Sequence, residues 1–195
     1  MKYIAVVAFA LTLAACAAGT DFKKLDSNQL TYGESTSVDV VQKQGSPGKT
    51  GTETKDGITY DLIAYVFADA GGTPDKEGVT PARAQAFYFK DDVLVGSEFS
   101  SSFASDSTKF DESKISMIKE NSTTLDELIA LMGQPSGEYI HPLVAKEGER
   151  AKVYVHSQTT VSGLEIIARR KELIVSYDPK TGVVTQIEYN EIGAE

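Results

Sequence analysis

The side chains that could do chemistry are few in this chain. Its 195 residues include one cysteine, Cys16, and two histidines, His141 and His156. A single thiol excludes an intramolecular disulfide framework and any metal site built from several thiolates. His141 precedes a proline, which is typical of a loop. His156 alternates with valines on an expected strand, which predicts a ring that faces solvent.

The carboxylates do not indicate a reaction centre either. They are scattered along the chain and do not have the spacing of a calcium-binding loop. Catalysis requires a nucleophile, a base and a stabilising group within reach of one another, and the sequence offers no such set. We therefore predict that the protein is not an enzyme and has no catalytic residue, no metal site and no cofactor.

Composition and charge limit which classes of protein and which kinds of partner are possible. Hydrophobic residues make up 41% of the chain, which is enough for a core and excludes a fully disordered protein. The 28 acids and 19 bases give a formal net charge of -9 at pH 7. Because a negative protein repels phosphate backbones, we predict that it does not bind nucleic acid.

The cysteine follows a segment that has the layout of a signal peptide. Lys2 supplies a positive charge, an apolar core of about ten residues follows, and small residues precede a cleavage point. The core is shorter than the roughly 20 apolar residues that span a bilayer. Leu13-Ala14-Ala15-Cys16 resembles the lipobox of bacterial lipoproteins. The resemblance implies cleavage between Ala15 and Cys16 and acylation of Cys16, with a fatty acid such as palmitate on its new amine.

The residue after the lipobox bears on localisation. In lipoproteins an aspartate there favours retention in the inner membrane, whereas this chain has Ala17. The resemblance therefore implies a lipid-anchored protein on the periplasmic face of the outer membrane. The alternative is an ordinary secretory signal in which the cysteine occurs by chance.

The rest of the chain contains an internal repeat. Thr36 matches Thr124, and the Gly-x-Pro unit at 45–47 matches the one at 133–135, each 88 positions later. Each threonine is a capping hydroxyl with an acid three residues on, which predicts a helix start. Each glycine predicts the end of that helix. A polar segment before each of these helices predicts a further short helix.

Strand signals complete each half. Three segments per half are rich in valine, isoleucine, tyrosine and phenylalanine, which favour strands. They are residues 58–67, 84–89 and 93–99 in the first half and 151–159, 173–177 and 183–189 in the second. The pattern predicts an α+β fold of two tandem ααβββ repeats, with helices packed on antiparallel sheet. We expect a signal peptide over 1–15, a first repeat over 16–103 and a second over 104–195.

The sheet faces and two loops of this expected fold, over 69–81 and 139–148, could contact a partner. Aromatic residues fall on both faces of the expected strands, so one face would leave tyrosines exposed, as suits a protein interface. The candidate interface residues are Tyr60, Tyr65 and Tyr88. The loop over 69–81 contains Gly71-Gly72-Thr73-Pro74 and is predicted to be an exposed, mobile hairpin tip.

The order of helix starts and stops in both halves is similar to that of a known family. It is carried by Gly33, Thr36, Val40, Val41, Gly45 and Pro47 in the first half and by Thr124, Leu128, Ile129, Gly133 and Pro135 in the second. This order resembles the SmpA/OmlA family, the BamE-like domain of outer-membrane lipoproteins. Asn121 stands where the family has glycine. Two such domains in tandem are also similar in architecture to the β-lactamase inhibitor proteins.

Two functions follow from these resemblances as expectations. The first is a non-enzymatic outer-membrane lipoprotein that binds a protein partner in envelope or outer-membrane protein assembly or integrity. The SmpA/OmlA resemblance implies the β-barrel assembly machinery as that partner. The alternative is a protein like the β-lactamase inhibitors, which binds and blocks an enzyme through the concave face of the paired sheets. A loop inserted into the active site would favour it, and the candidate is the Gly71-Gly72-Thr73-Pro74 tip of the loop over 69–81.

Overall fold

The computed structural model of the protein describes residues 17–162 and 165–193. The predicted signal peptide and the predicted lipidation site, Ala15 and Cys16, lie outside the described residues. Among the residues that are described, no helix is both long and apolar enough to cross a membrane.

Antiparallel β-sheet dominates the described residues, where ten strands form a single sheet. They are β1 (Ala17–Gly19), β2 (Lys49–Lys55), β3 (Ile58–Asp69), β4 (Val79–Thr80), β5 (Ala82–Lys90), β6 (Val93–Ser101), β7 (Gly137–Ile140), β8 (Arg150–Ser162), β9 (Glu165–Tyr177) and β10 (Val184–Ile192). The order along the sheet is β1-β3-β5-β6-β7-β8-β9-β10, with β2 beside β3 and β4 beside β8. The pairing of β6 with β7 joins the two halves of the chain into one sheet.

Helices within the described ranges are short. The α-helices are α1 (Ser37–Gln44) and α2 (Leu125–Met132), each of 8 residues. The polar segments that precede them form 3₁₀ turns at Ser27–Gln29 and Glu112–Met117. Apolar residues of these segments are buried in the clusters on the sheet, and they are Leu25, Leu30, Phe110 and Ile118. The segments thus pack there without forming a longer helix.

The predicted α+β fold of two ααβββ repeats, with helices packed on the sheet, is therefore wrong. The described residues form mostly antiparallel β-sheet, in ten strands, with two short α-helices and two 3₁₀ segments. Four strands were not predicted, which are β1, β2 and β4 in the first half and β7 in the second. The sequence of β2, KTGTETK, lacks the apolar alternation of a strand because most of its residues are exposed at the side of the sheet.

The local features that define α1 and α2 were predicted correctly. The hydroxyls of Thr36 and Thr124 accept hydrogen bonds from the backbone three residues on. Gly45 and Gly133 end the helices at φ of 86° and 85°, which glycine adopts without strain. The tyrosine hydroxyls of the following strands then donate to the carbonyl oxygens of these glycines, at 2.7 Å in the first half and 3.1 Å in the second. The two halves thus share this local geometry.

Loss of either capping hydroxyl should destabilise the protein to a similar extent. We expect Thr36→Ala and Thr124→Ala each to lower the free energy of unfolding by about 1 kcal/mol, since each leaves helix N–H groups without a partner. Urea unfolding measures this loss, and Thr→Ser at the same positions is the control that keeps the hydroxyl. A loss in only one of the two variants would show that the caps are not equivalent.

Three apolar clusters hold the sheet. The first lies under α1 and contains Val40, Phe87 and Leu94. The second lies under α2 and contains Leu128 and Leu173, among others. We call the side of the sheet that carries both clusters the helix face. The third cluster contains Tyr60, Tyr88, Tyr139 and Val153, and none of its described members is helical. We call the side that carries it the open face.

Candidate binding site on the open face

A cavity of about 680 Å³ lies on the open face, where the two halves of the sheet meet. Its walls come from both halves, because residues of β2, β3, β5 and β6 line it together with residues of β7, β9 and β10. The six lining residues that define its chemistry are Lys55, Tyr88, Glu98, Tyr139, Arg170 and Glu172. The volume is within the range of small-ligand sites and is large enough for a long side chain.

An ion network forms the floor of the cavity. Nη2 of Arg170 lies 2.9 Å from each carboxylate oxygen of Glu98 and 2.7 Å from Oε1 of Glu172. The hydroxyl of Tyr139 donates a short hydrogen bond to Glu98. Strand alternation places Arg170 and Glu172 on the same face of β9. Two buried carboxylates thus share one guanidinium group.

The network keeps Glu98 ionised although it is buried. Burial by itself opposes ionisation, but the positive charges of Arg170 and Lys55 and the hydrogen bonds to Arg170 and Tyr139 outweigh it and lower the pKa of Glu98. Burial and the nearby carboxylates raise the pKa values of Tyr88 and Tyr139, so both phenols are neutral near pH 7. The floor therefore presents fixed negative charge and two neutral aromatic rings.

Lys55 lies against both rings. Its Nζ is 4.4 Å from the ring centroid of Tyr88 and 5.2 Å from that of Tyr139, within the range of cation–π interactions. The two rings meet edge to face, with centroids 5.7 Å apart. Nζ also lies 3.5 Å from the hydroxyl of Tyr139. This is a place where an ammonium group is held mainly by aromatic faces.

The charge of the cavity is negative. The lining includes five acids, Glu53, Asp56, Glu98, Glu172 and Glu188, and two bases, Lys55 and Arg170. The acids of the rim are more exposed than those of the floor. The arrangement can bind a cationic group by charge and by ring faces.

The predicted interface tyrosines lie elsewhere than we expected. Tyr60, Tyr65 and Tyr88 are only 1%, 4% and 3% exposed, so the predicted exposure is wrong. Tyr65 belongs to the cluster under α1, whereas Tyr60 and Tyr88 line the cavity on the open face. The aromatic residues on both sides of the strands are buried because both faces of the central sheet carry an apolar cluster.

His156 is also placed differently from the prediction. It is 7% exposed rather than facing solvent, and its Nε2 lies 3.4 Å from Oδ2 of Asp75. Its Nδ1 is 3.4 Å from the hydroxyl of Thr108. Burial lowers the pKa of His156, although the carboxylate of Asp75 opposes this shift. His141 lies in a turn, as predicted.

The pKa of His156 predicts a pH dependence of stability. In the unfolded chain His156 has the ordinary histidine pKa of about 6.5. Because the folded pKa is lower, the unfolded state binds the proton more readily. The free energy of unfolding therefore falls as the pH drops below the unfolded pKa toward the folded pKa. We expect His156→Gln to flatten that fall, as measured by thermal unfolding between pH 7 and 5. An equal slope in both proteins would contradict a low folded pKa.

The loop over 69–81 is not a free tip. The backbone N–H of Asp75 donates to the carbonyl of Ser102 at 2.8 Å, and β4 pairs with β8 in the second half of the chain. The side chain of Asp75 is buried, and the ring of Phe103 lies against Gly72, where even a Cβ atom would come within 2.7 Å. The loop does connect the hairpin of β3 and β5, and several of its residues are exposed, as predicted. It is held on the sheet by these contacts, so the prediction that it is a free tip is wrong.

Sequence reasoning missed most of the cavity residues. None of Arg170, Glu98 and Lys55 was predicted as a site residue from the sequence. A usable signal was present on β9, where Arg170 and Glu172 have the two-residue spacing that puts opposite charges on one face. Their pairing with Glu98 depends on contact between the halves, which the spacing does not predict.

Comparisons with known proteins do not assign the chain to a family. No protein-family model matches the chain, and no curated protein matches it. The chain is similar to a crystal structure described as a candidate β-lactamase inhibitor protein from Streptococcus mutans, at 14% identity and a TM-score of 0.40. The similarity covers 80% of this chain and 82% of that chain. A similarity with this TM-score supports no conclusion about fold or function. No family match supports the SmpA/OmlA resemblance.

Proposed function

We propose that the protein is a non-enzymatic lipoprotein of the outer membrane that binds a cationic segment of a protein partner on the open face. The observation that carries this proposal is the cavity, in which two buried carboxylates share one guanidinium and two tyrosine rings face the space above them. Envelope assembly or integrity is the process we expect it to serve, with the β-barrel assembly machinery as the candidate partner.

Charge complementarity identifies the partner's chemistry. The lining acids outnumber the lining bases by five to two, and the whole chain has a formal net charge of -9. Acidic surfaces steer cationic partners toward them and repel anionic ones. Tyrosine is enriched at protein interfaces, where its ring supplies contact area and its hydroxyl a hydrogen bond. A protein segment rich in lysine or arginine fits these features.

The proposed lipid anchor fits the position of the cavity. β1 begins at Ala17, directly after Cys16, and pairs with the end of β3 at Asp69. Acylation of Cys16 would therefore place that end of β3 at the membrane surface. Tyr60 of the cavity lies nine residues away along β3, which is roughly 30 Å at about 3.3 Å per residue. The cavity would be accessible to a periplasmic partner.

The alternative function, binding and blocking an enzyme, could use the same surface. A loop inserted into an active site is not available from residues 69–81, because that loop is held on the sheet. An inhibitor would have to present the cavity itself to a basic surface of the enzyme. The partner that is recovered from the envelope distinguishes the two functions.

Titration with short charged peptides tests the binding proposal. We expect hexalysine to bind the mature protein carrying Cys16→Ser, and hexaglutamate not to bind, in calorimetry at low ionic strength. Glu188→Gln on the rim should weaken hexalysine binding roughly two- to fivefold, as expected for an exposed charge. Asp126→Asn, an equal change of charge at an exposed position of α2, is the matched control. Equal binding of both peptides, or equal effects of both variants, would contradict the proposal.

A further inference from the structure

The side chain of Lys55 lies where it can move out of the cavity. It is the last residue of β2, and the turn that follows contains Asp56 and Gly57 at φ of 49° and 78°. Its side chain is 25% exposed, and the residues of β2 around it are mostly exposed. A side chain at the end of such a strand can leave the cavity without disturbing the buried core.

The charges of the floor require a second cation. Buried carboxylates are stable when they are paired, and an unpaired one is strongly destabilising. Arg170 supplies one positive charge to Glu98 and Glu172, so one negative charge remains on the floor. Lys55 is the second basic residue that lines the cavity, and its charge helps to lower the pKa of Glu98. It therefore completes the neutralisation of the floor.

The contacts of the two cations differ in kind. Arg170 makes three hydrogen bonds of 2.7 to 2.9 Å with the buried carboxylates. The ammonium of Lys55 contacts ring faces, a hydroxyl at 3.5 Å and the partly exposed Glu53 at 3.6 Å. Arg170 is thus a fixed part of the site, whereas Lys55 is held by long and undirected contacts that another cation could reproduce.

We infer that Lys55 occupies, in the free protein, the position that a lysine or arginine side chain of the bound partner takes. The partner's cation displaces Lys55 from the rings of Tyr88 and Tyr139 and then neutralises the same floor. Lys55 acts as an internal competitor that lowers affinity and admits only partners that bring a replacement charge. This inference rests on the proposed function and identifies the group that the open face recognises.

Removal of Lys55 tests the inference. We expect Lys55→Met, which keeps the stem but not the charge, to bind hexalysine about tenfold more tightly than the parent protein, a change of ~1.4 kcal/mol. Lys49→Met is the matched control, because it removes the same charge from the other end of β2, outside the cavity. It should raise the affinity less than about twofold. The reason for this small effect is screening of an exposed charge.

A second readout follows Lys55 itself. Hexalysine should increase the rate at which an amine-acetylating reagent modifies Lys55, measured by mass spectrometry, while the rate at Lys49 stays constant. If the parent protein binds hexalysine but Lys55→Met binds no more tightly and Lys55 stays protected, the inference is wrong and the proposed function stands. If neither protein binds hexalysine, the proposed function fails and the inference fails with it.

Discussion

Replacement of Arg170 by methionine is expected to lower the free energy of unfolding by about 3–5 kcal/mol at pH 7. The change removes the guanidinium that Glu98 and Glu172 share and leaves two buried carboxylates without their strongest partner. Urea unfolding of the two proteins measures the difference. Arg169→Met is the control, because Arg169 is exposed and alternates to the other face of β9. It should change stability by less than about 1 kcal/mol.

The deficit of Arg170→Met should shrink in acid. In the parent protein the pKa of Glu98 lies below its unfolded value of about 4.3, so its contribution to stability is present above that pH and is lost as the pH falls through the folded pKa. In the variant Glu98 loses the charge and hydrogen bonds of Arg170, so it takes up a proton at a higher pH than in the parent protein and no longer needs the cation. A deficit that is constant from pH 7 to 4, or no larger than that of Arg169→Met, would contradict the role of this network.

Leu128→Ala is expected to lower the free energy of unfolding by about 2–5 kcal/mol. Leu128 is fully buried between α2 and the sheet, where it packs in the cluster with Leu173 and Val175. Val40 occupies the matching position in α1 and is also fully buried. Val40→Ala removes fewer carbon atoms and should therefore cause a smaller loss. Thermal and urea unfolding measure both changes.

The same pair of variants tests whether the proposed repeats, 16–103 and 104–195, fold as one unit. The sheet runs through β6 and β7, and the cluster on the open face contains residues of both halves. We therefore expect a single unfolding transition in each variant, shifted as a whole. Two separated transitions, with one unchanged in position, would show that the halves unfold independently.

Local signals in the sequence predicted local structure well. Thr36 and Thr124 cap the helices, and Gly45 and Gly133 end them, because capping and positive φ depend on residues a few positions apart. The predicted fold class was wrong because strands depend on contacts with residues far away in the sequence. The polar segments predicted as short helices form 3₁₀ segments of three and six residues. Strands β1, β2, β4 and β7 were also overlooked, because their structure depends on pairing with neighbours.

The candidate site was not predictable because its residues come together only through pairing between distant strands. Glu98 belongs to the first half, whereas Tyr139, Arg170 and Glu172 belong to the second. The same reason explains the errors at His156 and at the loop over 69–81. Each was expected in solvent, and each is buried or fixed by contact with the other half of the chain.

Photocrosslinking in native membranes tests the central claim most directly. A photoreactive residue is placed at Asn190 on the exposed rim of the cavity, or at Met117, which is exposed outside it, in the acylated protein. We predict one crosslinked partner from Asn190 and none from Met117, with the crosslink on a segment rich in lysine or arginine and its yield reduced by hexalysine. Crosslinks of equal yield from both positions, or a crosslink that hexalysine does not affect, would contradict the account.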